Sequence, residues 1–135
     1  MTGETNLRQL LGAMQPLLHP DIYVFATVPS FFKLASDSEP VMIFTEAEGK
    51  TLVLKETDAK RLGINFIFPC RMVTLQVHSS LEAVGLLAAI TTKLASAGMG
   101  VNPVSAYFHD HLFISVDHID QAIKLLAELA AENAG

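Results

Sequence analysis

The sequence predicts an α+β fold made of ferredoxin-like sandwiches in tandem, each an antiparallel sheet with helices on one face. Three observations support this prediction. Residues 72–116 read as one β-α-β-β unit, an amphipathic helix follows them, and both halves of the chain place two strands and a helix toward their C-terminal ends. A β-α-β-β-α order is the core of the ferredoxin-like sandwich.

A change of hydrophobic period marks the first strand and helix of this unit. Residues 72–77 alternate in the manner of a strand. Ser79, with Glu82 three residues later, predicts a capping box that starts a helix. Gly98 predicts the left-handed residue that ends it. The apolar face of the helix is predicted to carry Leu87, Ile90, Leu94 and Ala97.

Two further strands and a last helix complete the unit. Apolar runs at residues 101–108 and 112–116 predict strands that meet at the turn His109-Asp110. Pro103 favours an edge position for the first of these strands, because proline has no backbone donor for a neighbour. Asp117 predicts the start of the last helix. The inward stripe of that helix is predicted to be Ile119, Ile123, Leu126 and Ala130.

The first half of the chain predicts shorter elements. Thr5 can cap a helix that Pro16 ends, and residues 29–40, with two prolines, predict a loop. A short helix is predicted from Thr57 to Gly63. Strands are predicted at residues 22–28, 41–45, 51–54 and 64–68, the middle two joined through Glu48-Gly49.

The predicted domain boundary lies at Pro69. It divides the chain into a divergent or permuted unit, residues 1–69, and a second unit, residues 70–135. The second unit shows no fourth strand of its own, so we expect the first half to supply one. Residues 64–68 are the first candidate for that strand and residues 22–28 the second.

Composition excludes several classes of function. Half of the residues are apolar, 17% are charged and the net charge is −5, which argues against nucleic-acid binding and against anionic membrane surfaces. The N-terminal residues show no secretory pattern, and the longest apolar run, residues 83–90, is too short to span a membrane. We expect a soluble cytoplasmic protein. The high apolar content and the edge strand at residues 101–107 predict a symmetric dimer or higher homo-oligomer.

Two segments carry a family resemblance. VHSSLEAVGL at residues 77–86 and GVNPVSAYFHDHLFISV at residues 100–116 resemble the ACT domain. The similarity is greatest to small paired-ACT proteins related to the regulatory end of aspartate kinases and to arginine-sensing proteins of animals. This resemblance implies that an amino acid or similar small ligand binds between two ACT units, with no cofactor, and that binding controls a separate target enzyme.

An α-amino acid needs one site for its carboxylate and another for its ammonium group. The free amides at the predicted helix start, residues 79–84, suit the carboxylate, and Asp110 suits the ammonium group. Gly85 indicates a close approach to the backbone, either by a ligand or by a packed helix. We expect a site at an interface, where a neighbouring unit supplies residues 105–109 or their turn. The predicted ligand contacts are His78, Ser79, Ser80, Leu81, Val84, Gly85, Ser105, Tyr107, His109 and Asp110.

Other interpretations of the same residues remain open. The segment after residue 77 can be a capped helix start with no ligand, and the protein a dimerising interaction module of ACT fold. His109 and His111, with His78 or His118, have spacing that can suit a metal, although we expect none to bind. Cys70 beside Arg71 can be a reactive thiol, although an inert buried cysteine is expected. No phosphate loop, dinucleotide fingerprint or convincing carboxylate pair occurs, so we predict that the chain is not an enzyme.

Overall fold

The computed structural model describes residues 6–134, which form four helices and six strands. In chain order these elements are α1 (Leu7–Ala13), β1 (Gln15–Val28), β2 (Met42–Glu46), β3 (Gly49–Lys55), α2 (Glu56–Leu62), β4 (Ile67–Gln76), α3 (Leu86–Ala95), β5 (Asn102–Ser105), β6 (Asp110–Ser115) and α4 (Ile119–Asn133).

The chain folds as two compact units. The central unit comprises Asp21–Cys70, and the terminal unit comprises the described residues before Asp21 together with those after Cys70. The long strands β1 and β4 each contribute one part to either unit. The two divisions of the chain therefore fall inside strands, and the second lies one residue beyond the predicted domain boundary.

The terminal unit has strand order β1-β4-β6-β5. β5 pairs antiparallel with β6, and Pro103 lies in β5 at the sheet edge, as predicted. Helices α1, α3 and α4 cover one face of the sheet and form a continuous core with β4 and β6. Fully buried residues of this core include Leu10, Val73, Leu75, Ile90, Leu94, Leu112, Ile114 and Leu126.

The central unit has strand order β2-β3-β1-β4, with antiparallel pairing of β3 to both β1 and β2. The single helix α2 and the loop before β2 cover one face of this sheet. Their core consists of Val24, Ala26, Val28, Leu52, Leu54, Ala59 and Ile64, with Phe32 and Leu34 packed against it. The predicted α+β, ferredoxin-like class with antiparallel sheets and helices on one face is confirmed.

The fourth strand of the terminal unit comes from an unexpected segment. It is the first part of β1, from Gln15, and neither residues 64–68 nor residues 22–28 supply it. The prediction was wrong because Pro16 and Pro20 have no backbone N–H to donate. Reasoning from the local sequence therefore placed the start of this strand after the two prolines. Residues 64–66 precede β4, which runs on through Pro69 without a break.

Several predicted helix starts are also wrong. Asn6 caps α1 by accepting a bond from the Gln9 amide, whereas Thr5 lies outside the described residues. Lys55, not Thr57, precedes α2, and His118, not Asp117, precedes α4. Gly63, the predicted end of α2, is its C-cap with φ of 69°. Gly98 has the predicted left-handed conformation, with φ of 82°, but α3 ends earlier, at Ala95, with Ser96 as its C-cap.

The largest correction concerns α3, which begins at Leu86 and not at Ser79. The predicted capping box does not form. Ser80 instead closes a local turn, accepting the Glu82 amide at its hydroxyl (3.0 Å) and the Ala83 amide at its carbonyl (3.0 Å). The connection between β4 and α3 is therefore a loop of nine residues, 77–85. This loop provides one wall of a cavity in the terminal unit.

Candidate functional site

A cavity of about 170 Å³ lies in the terminal unit, between the β4–α3 loop and the β5–β6 turn. Its walls come from three places in the sequence: the loop, the first turn of α3 and the hairpin. The lining residues are Ser79, Ser80, Leu81, Ala83, Gly85, Leu86, Leu87, Ala88, Ser105, Ala106, Phe108, His109 and Asp110. Loops held by a packed core are common places for binding sites.

The start of α3 borders the cavity with unpaired backbone donors. Gly85 is the N-cap and has φ of 96°, a left-handed conformation that side chains oppose. The first bond to its carbonyl comes from the Ala89 amide (2.9 Å), so the amides before Ala89 have no acceptor inside the helix. All of α3 is described, and its first turn contains no acidic residue. This end of the cavity is therefore electropositive and suits a carboxylate.

The β5–β6 turn provides a carboxylate on the other side. The hairpin loop is residues 106–109, closed by a bond from the Ala106 amide to the His109 carbonyl (3.0 Å), and not the predicted turn His109-Asp110. Asp110 begins β6, where it pairs with Ser105. The Ser105 hydroxyl donates to Asp110 Oδ1 (2.6 Å), which fixes one carboxylate oxygen and leaves the other for a cationic group.

Exposed apolar side chains lie on the loop and the hairpin that form the cavity. Leu81 and Val84 lie on the loop, and Tyr107 and Phe108 lie at the tip of the hairpin, all between 61% and 83% exposed. The two aromatic rings contact each other edge to face, with centroids 4.8 Å apart. Clustered exposed apolar residues of this kind are typical of surfaces that bind a partner or a ligand.

Most of the predicted contacts come together at this cavity. Ser79, Ser80, Leu81, Gly85, Ser105, His109 and Asp110 line it, whereas His78, Val84 and Tyr107 do not. The sequence interpretation missed the start of α3 at Leu86, Leu87 and Ala88, because it began the helix too early. A glycine placed just before an apolar helical run was the available signal.

The two sides of the cavity belong to one chain, contrary to the prediction that a neighbour supplies the second side. The physical reason is the path of the chain. Helix α3 returns it to the starting end of β4, so β5 runs in the same direction as β4, with β6 antiparallel between them. The turn after β5 therefore lies at the same end as the loop after β4.

Among the described residues, the histidines near the hairpin do not form a metal site with further ligands. The rings of His109 and His111 are 6.4 Å apart, and His111 Nδ1 hydrogen bonds to Thr74 Oγ1 (2.9 Å). Within residues 6–134, no group of three or more His, Cys, Asp or Glu side chains could hold a metal ion. His78 and His118 do not join the pair.

Cys70 is buried, and its Sγ donates to the Tyr23 carbonyl (3.3 Å). Burial raises the pKa of the thiol to about 12, which leaves it protonated at physiological pH. Its position beside Arg71 in the sequence does not activate it, because neighbouring strand residues point to opposite faces.

Clefts in the central unit are larger but chemically different. One of about 470 Å³ is lined by Phe25, Ala26, Thr27, Thr51, Asn65, Phe66 and Ile67 and contains no charged group among the described residues. A second, of about 620 Å³, is open and lined by Asp37, Glu39, Asp58 and Lys55 among others. The first cleft offers no charged group among its described residues, and the second borders the start of α2, whose first turn already carries the acidic residues Glu56 and Asp58. None of the described helices is both long and apolar enough to span a membrane.

Comparison with known proteins gives two family matches. The model of one ACT domain matches residues 2–71, and that of another matches residues 67–128. No curated protein matches the chain.

Solved structures share the fold over most of their length. A Vibrio cholerae protein of unknown function, described as a possible transport protein, is 42% identical, with a TM-score of 0.80 over 92% of this chain and 95% of that one. An Agrobacterium tumefaciens protein is 16% identical, with a TM-score of 0.74 over 87% and 89%. The ligand-free regulatory subunit of aspartate kinase from Thermus thermophilus is 10% identical, with a TM-score of 0.64 over 88% and 97%.

Proposed function

Since this chain belongs to the ACT-domain family and pairs two such domains, we propose that it is a regulatory sensor that binds a free α-amino acid in the cavity of the terminal unit. One observation carries the proposal. The start of α3 and the carboxylate of Asp110 border the same cavity, so a positive and a negative site face a common space. That pair of sites matches the two charges that every α-amino acid carries.

Each end of the ligand has a partner of suitable chemistry. The ligand carboxylate accepts hydrogen bonds from the free amides at the start of α3, where the helix dipole adds to the attraction. The ligand ammonium group donates to the Asp110 oxygen that Ser105 leaves free. Hydrogen bonds that involve charged groups are about twice as strong as neutral ones. Both ends are therefore bound more firmly than a neutral ligand of the same size.

The cavity favours a small ligand with an uncharged side chain. Its volume of about 170 Å³ lies below the range of about 300–1,000 Å³ typical of sites for drug-sized molecules. Among its described lining residues there is no Lys or Arg to neutralise an acidic side chain. The remaining surface comes from serines, alanines and leucines together with Gly85, Phe108 and His109.

A second copy of the chain is the proposed partner. The exposed residues Leu81, Val84, Tyr107 and Phe108 lie on the loop and the hairpin that form the cavity, and burying them in a symmetric dimer would also shield the ligand from water. Light scattering at micromolar concentration is expected to give twice the chain mass. The monomer mass would contradict this part of the proposal.

The proposed output is control of a separate target enzyme in the cytoplasm. The fold likeness to the regulatory subunit of an aspartate kinase supports a regulatory role without catalysis by the chain itself. The family matches span residues 2–128, and both are ACT domains. This observation favours a binding protein over an enzyme.

A thermal-shift screen against the twenty amino acids tests the proposal. A ligand at about a hundred times its Kd stabilises the folded state by about 2.7 kcal/mol. One or a few small amino acids are expected to raise the melting temperature. Asp110→Asn should remove that rise, whereas Asp117→Asn, an exposed acid outside the cavity lining, should keep it.

The second candidate is a ligand-free dimerising module. The exposed apolar residues on the loop and the hairpin favour it, because they can bind a partner whether or not a ligand is present. A dimer that no amino acid stabilises would support this candidate and refute the sensor.

A further inference from the structure

Three polar side chains join neighbouring strands of the terminal unit. His19 on β1 and His111 on β6 both hydrogen bond to the hydroxyl of Thr74 on β4, at 2.7 Å from His19 Nε2 and 2.9 Å from His111 Nδ1. Arg71 Nε donates to the His19 carbonyl (2.8 Å) and holds that residue in place. Thr74 is 6% exposed, so water has little access to its hydroxyl.

A count of protons shows what this arrangement permits. A threonine hydroxyl has one proton to donate and two lone pairs to accept. With both imidazoles neutral, Thr74 donates to one ring nitrogen and accepts an N–H from the other, and every group is satisfied. With both imidazoles protonated, Thr74 receives two N–H groups, and its own proton loses both acceptors. A buried donor without an acceptor costs about 1–3 kcal/mol, so the network opposes a second proton.

The network reaches the cavity through the hairpin. The His111 ring contacts that of His109, which lines the cavity, and the charge of Asp110, the proposed partner of the ligand ammonium group, acts on His111 although the two side chains leave β6 on opposite faces. A positive charge on His111 therefore lies near the ammonium site. It attracts the Asp110 carboxylate and repels a bound ammonium group.

We propose that the His19–Thr74–His111 network makes the cavity a proton-sensitive site, at which an amino acid binds when His111 is neutral and leaves more readily when His111 takes up a proton. This inference rests on the proposed function. While His19 Nε2 donates to Thr74, the Thr74 hydroxyl has only His111 Nδ1 as its acceptor, so protonation of His111 then leaves that hydroxyl without an acceptor. Because binding linkage is reciprocal, occupation of the cavity also opposes protonation of His111.

The charged groups around His111 act in opposite directions. Burial lowers the pKa of His111 first, His109 and His19 lower it further, and Asp110 raises it. Arg71 is the remaining charged group of the network, and on β5 the residue opposite His111 is the uncharged Val104. A ligand ammonium group on Asp110 would cancel the one contribution that favours a charged His111.

The effect of this pKa on stability has a definite sign. The folded-state pKa of His111 is lowered below the ordinary value of about 6.5. As the pH falls below about 6.5, the unfolded chain takes up a proton that the folded chain resists, so stability is lost toward acid. The proposal adds that ligand affinity falls in the same direction.

Nuclear magnetic resonance titration of isotope-labelled imidazole rings tests the network without any ligand. In the wild type, His111 is expected to titrate below the ordinary histidine value. Thr74→Val removes the hydroxyl and should raise the pKa of His111, whereas Thr74→Ser keeps the hydroxyl and should leave it low. His19→Gln should also raise it, which provides a second variant if Thr74→Val fails to fold. An unchanged pKa in the folded Thr74→Val and His19→Gln variants would overturn the network.

Calorimetry with each of the twenty L-amino acids, near pH 7.5 and near pH 5.5, tests the coupling to the cavity. A shift of half to one pKa unit on binding corresponds to an affinity about three- to tenfold weaker at the lower pH. His111→Gln should lose this dependence, and His118→Gln, which alters an exposed imidazole outside the network, should keep it.

The outcomes separate the two proposals. Equal affinity at both pH values, with His111 titrating low, would refute the coupling and leave the sensor standing. Absence of binding by every amino acid at both pH values would refute the sensor and the coupling together, while the titration would still decide the network.

Discussion

Replacement of Gly85 by alanine tests the geometry on which the cavity depends. Gly85 has φ of 96° at the N-cap of α3, and a Cβ there would lie 3.2 Å from Leu7 Cδ2. A left-handed conformation costs a residue with a side chain about 1–2 kcal/mol. The contact adds little, because Leu7 Cδ2 is the free end of a flexible, partly exposed side chain. For a chain of this size, the expected fall in melting temperature is about 3–10 °C.

Two other glycines provide matched controls in the same thermal or urea unfolding assay. Gly98→Ala meets a similar backbone cost, since φ is 82° and no atom lies within 4 Å of the new Cβ. Gly100→Ala has neither a positive φ nor a neighbour within 4 Å, so its stability should change by less than about 0.5 kcal/mol. If Gly85→Ala melts with the wild type, or if Gly100→Ala loses as much, the reasoning is refuted. Gly85→Ala should also weaken stabilisation by an amino acid, because the strain displaces the start of α3.

Two predictions concern the close packing around Gly12 and the burial of Cys70. Gly12→Ala should destabilise the fold by about 1–3 kcal/mol in the same assay, because the new Cβ would lie 2.6 Å from the Asn133 carbonyl oxygen. Helix propensity alone predicts a gain in stability of about 1 kcal/mol. A rise in melting temperature would therefore contradict the close packing of α1 on α4. Cys70, with a pKa of about 12 and no solvent access, should not react with a thiol reagent near pH 8 in the native protein and should react fully in denaturant. Rapid labelling of the native thiol would contradict its burial.

Local patterns in the sequence predicted most elements correctly, together with the end of α2 at Gly63. The predicted stripe of α4 is half right, since Ile119 and Leu126 are buried whereas Ile123 and Ala130 are only partly buried. The alternation in β4 brings Val73 and Leu75 into the core, because period is a property of one segment. Gly63 ends α2, because the left-handed residue after a helix favours glycine at its own position.

The start of α3 shows where a local pattern gives the wrong answer. Ser79 and Glu82 fit a capping box in the sequence. In the structure, Ser80 accepts hydrogen bonds at its hydroxyl and its carbonyl within a turn, and the helix begins only after Gly85. Both arrangements satisfy backbone donors locally, so the choice between them depends on packing. The close approach of the Leu7 side chain to Gly85 is one part of that packing.

The sequence alone determined the fold class, the family and the residue types that suit an amino acid, because these depend on hydrophobic period and on short motifs. Only the tertiary structure decided which segment completes the terminal sheet and which residues face one another across the cavity. The first part of β1 joins β4, and the loop after β4 meets the turn after β5. These pairings join residues far apart in the chain. The free energy that favours them comes from burial and strand pairing, which depend on several segments together and cannot be read from one segment alone.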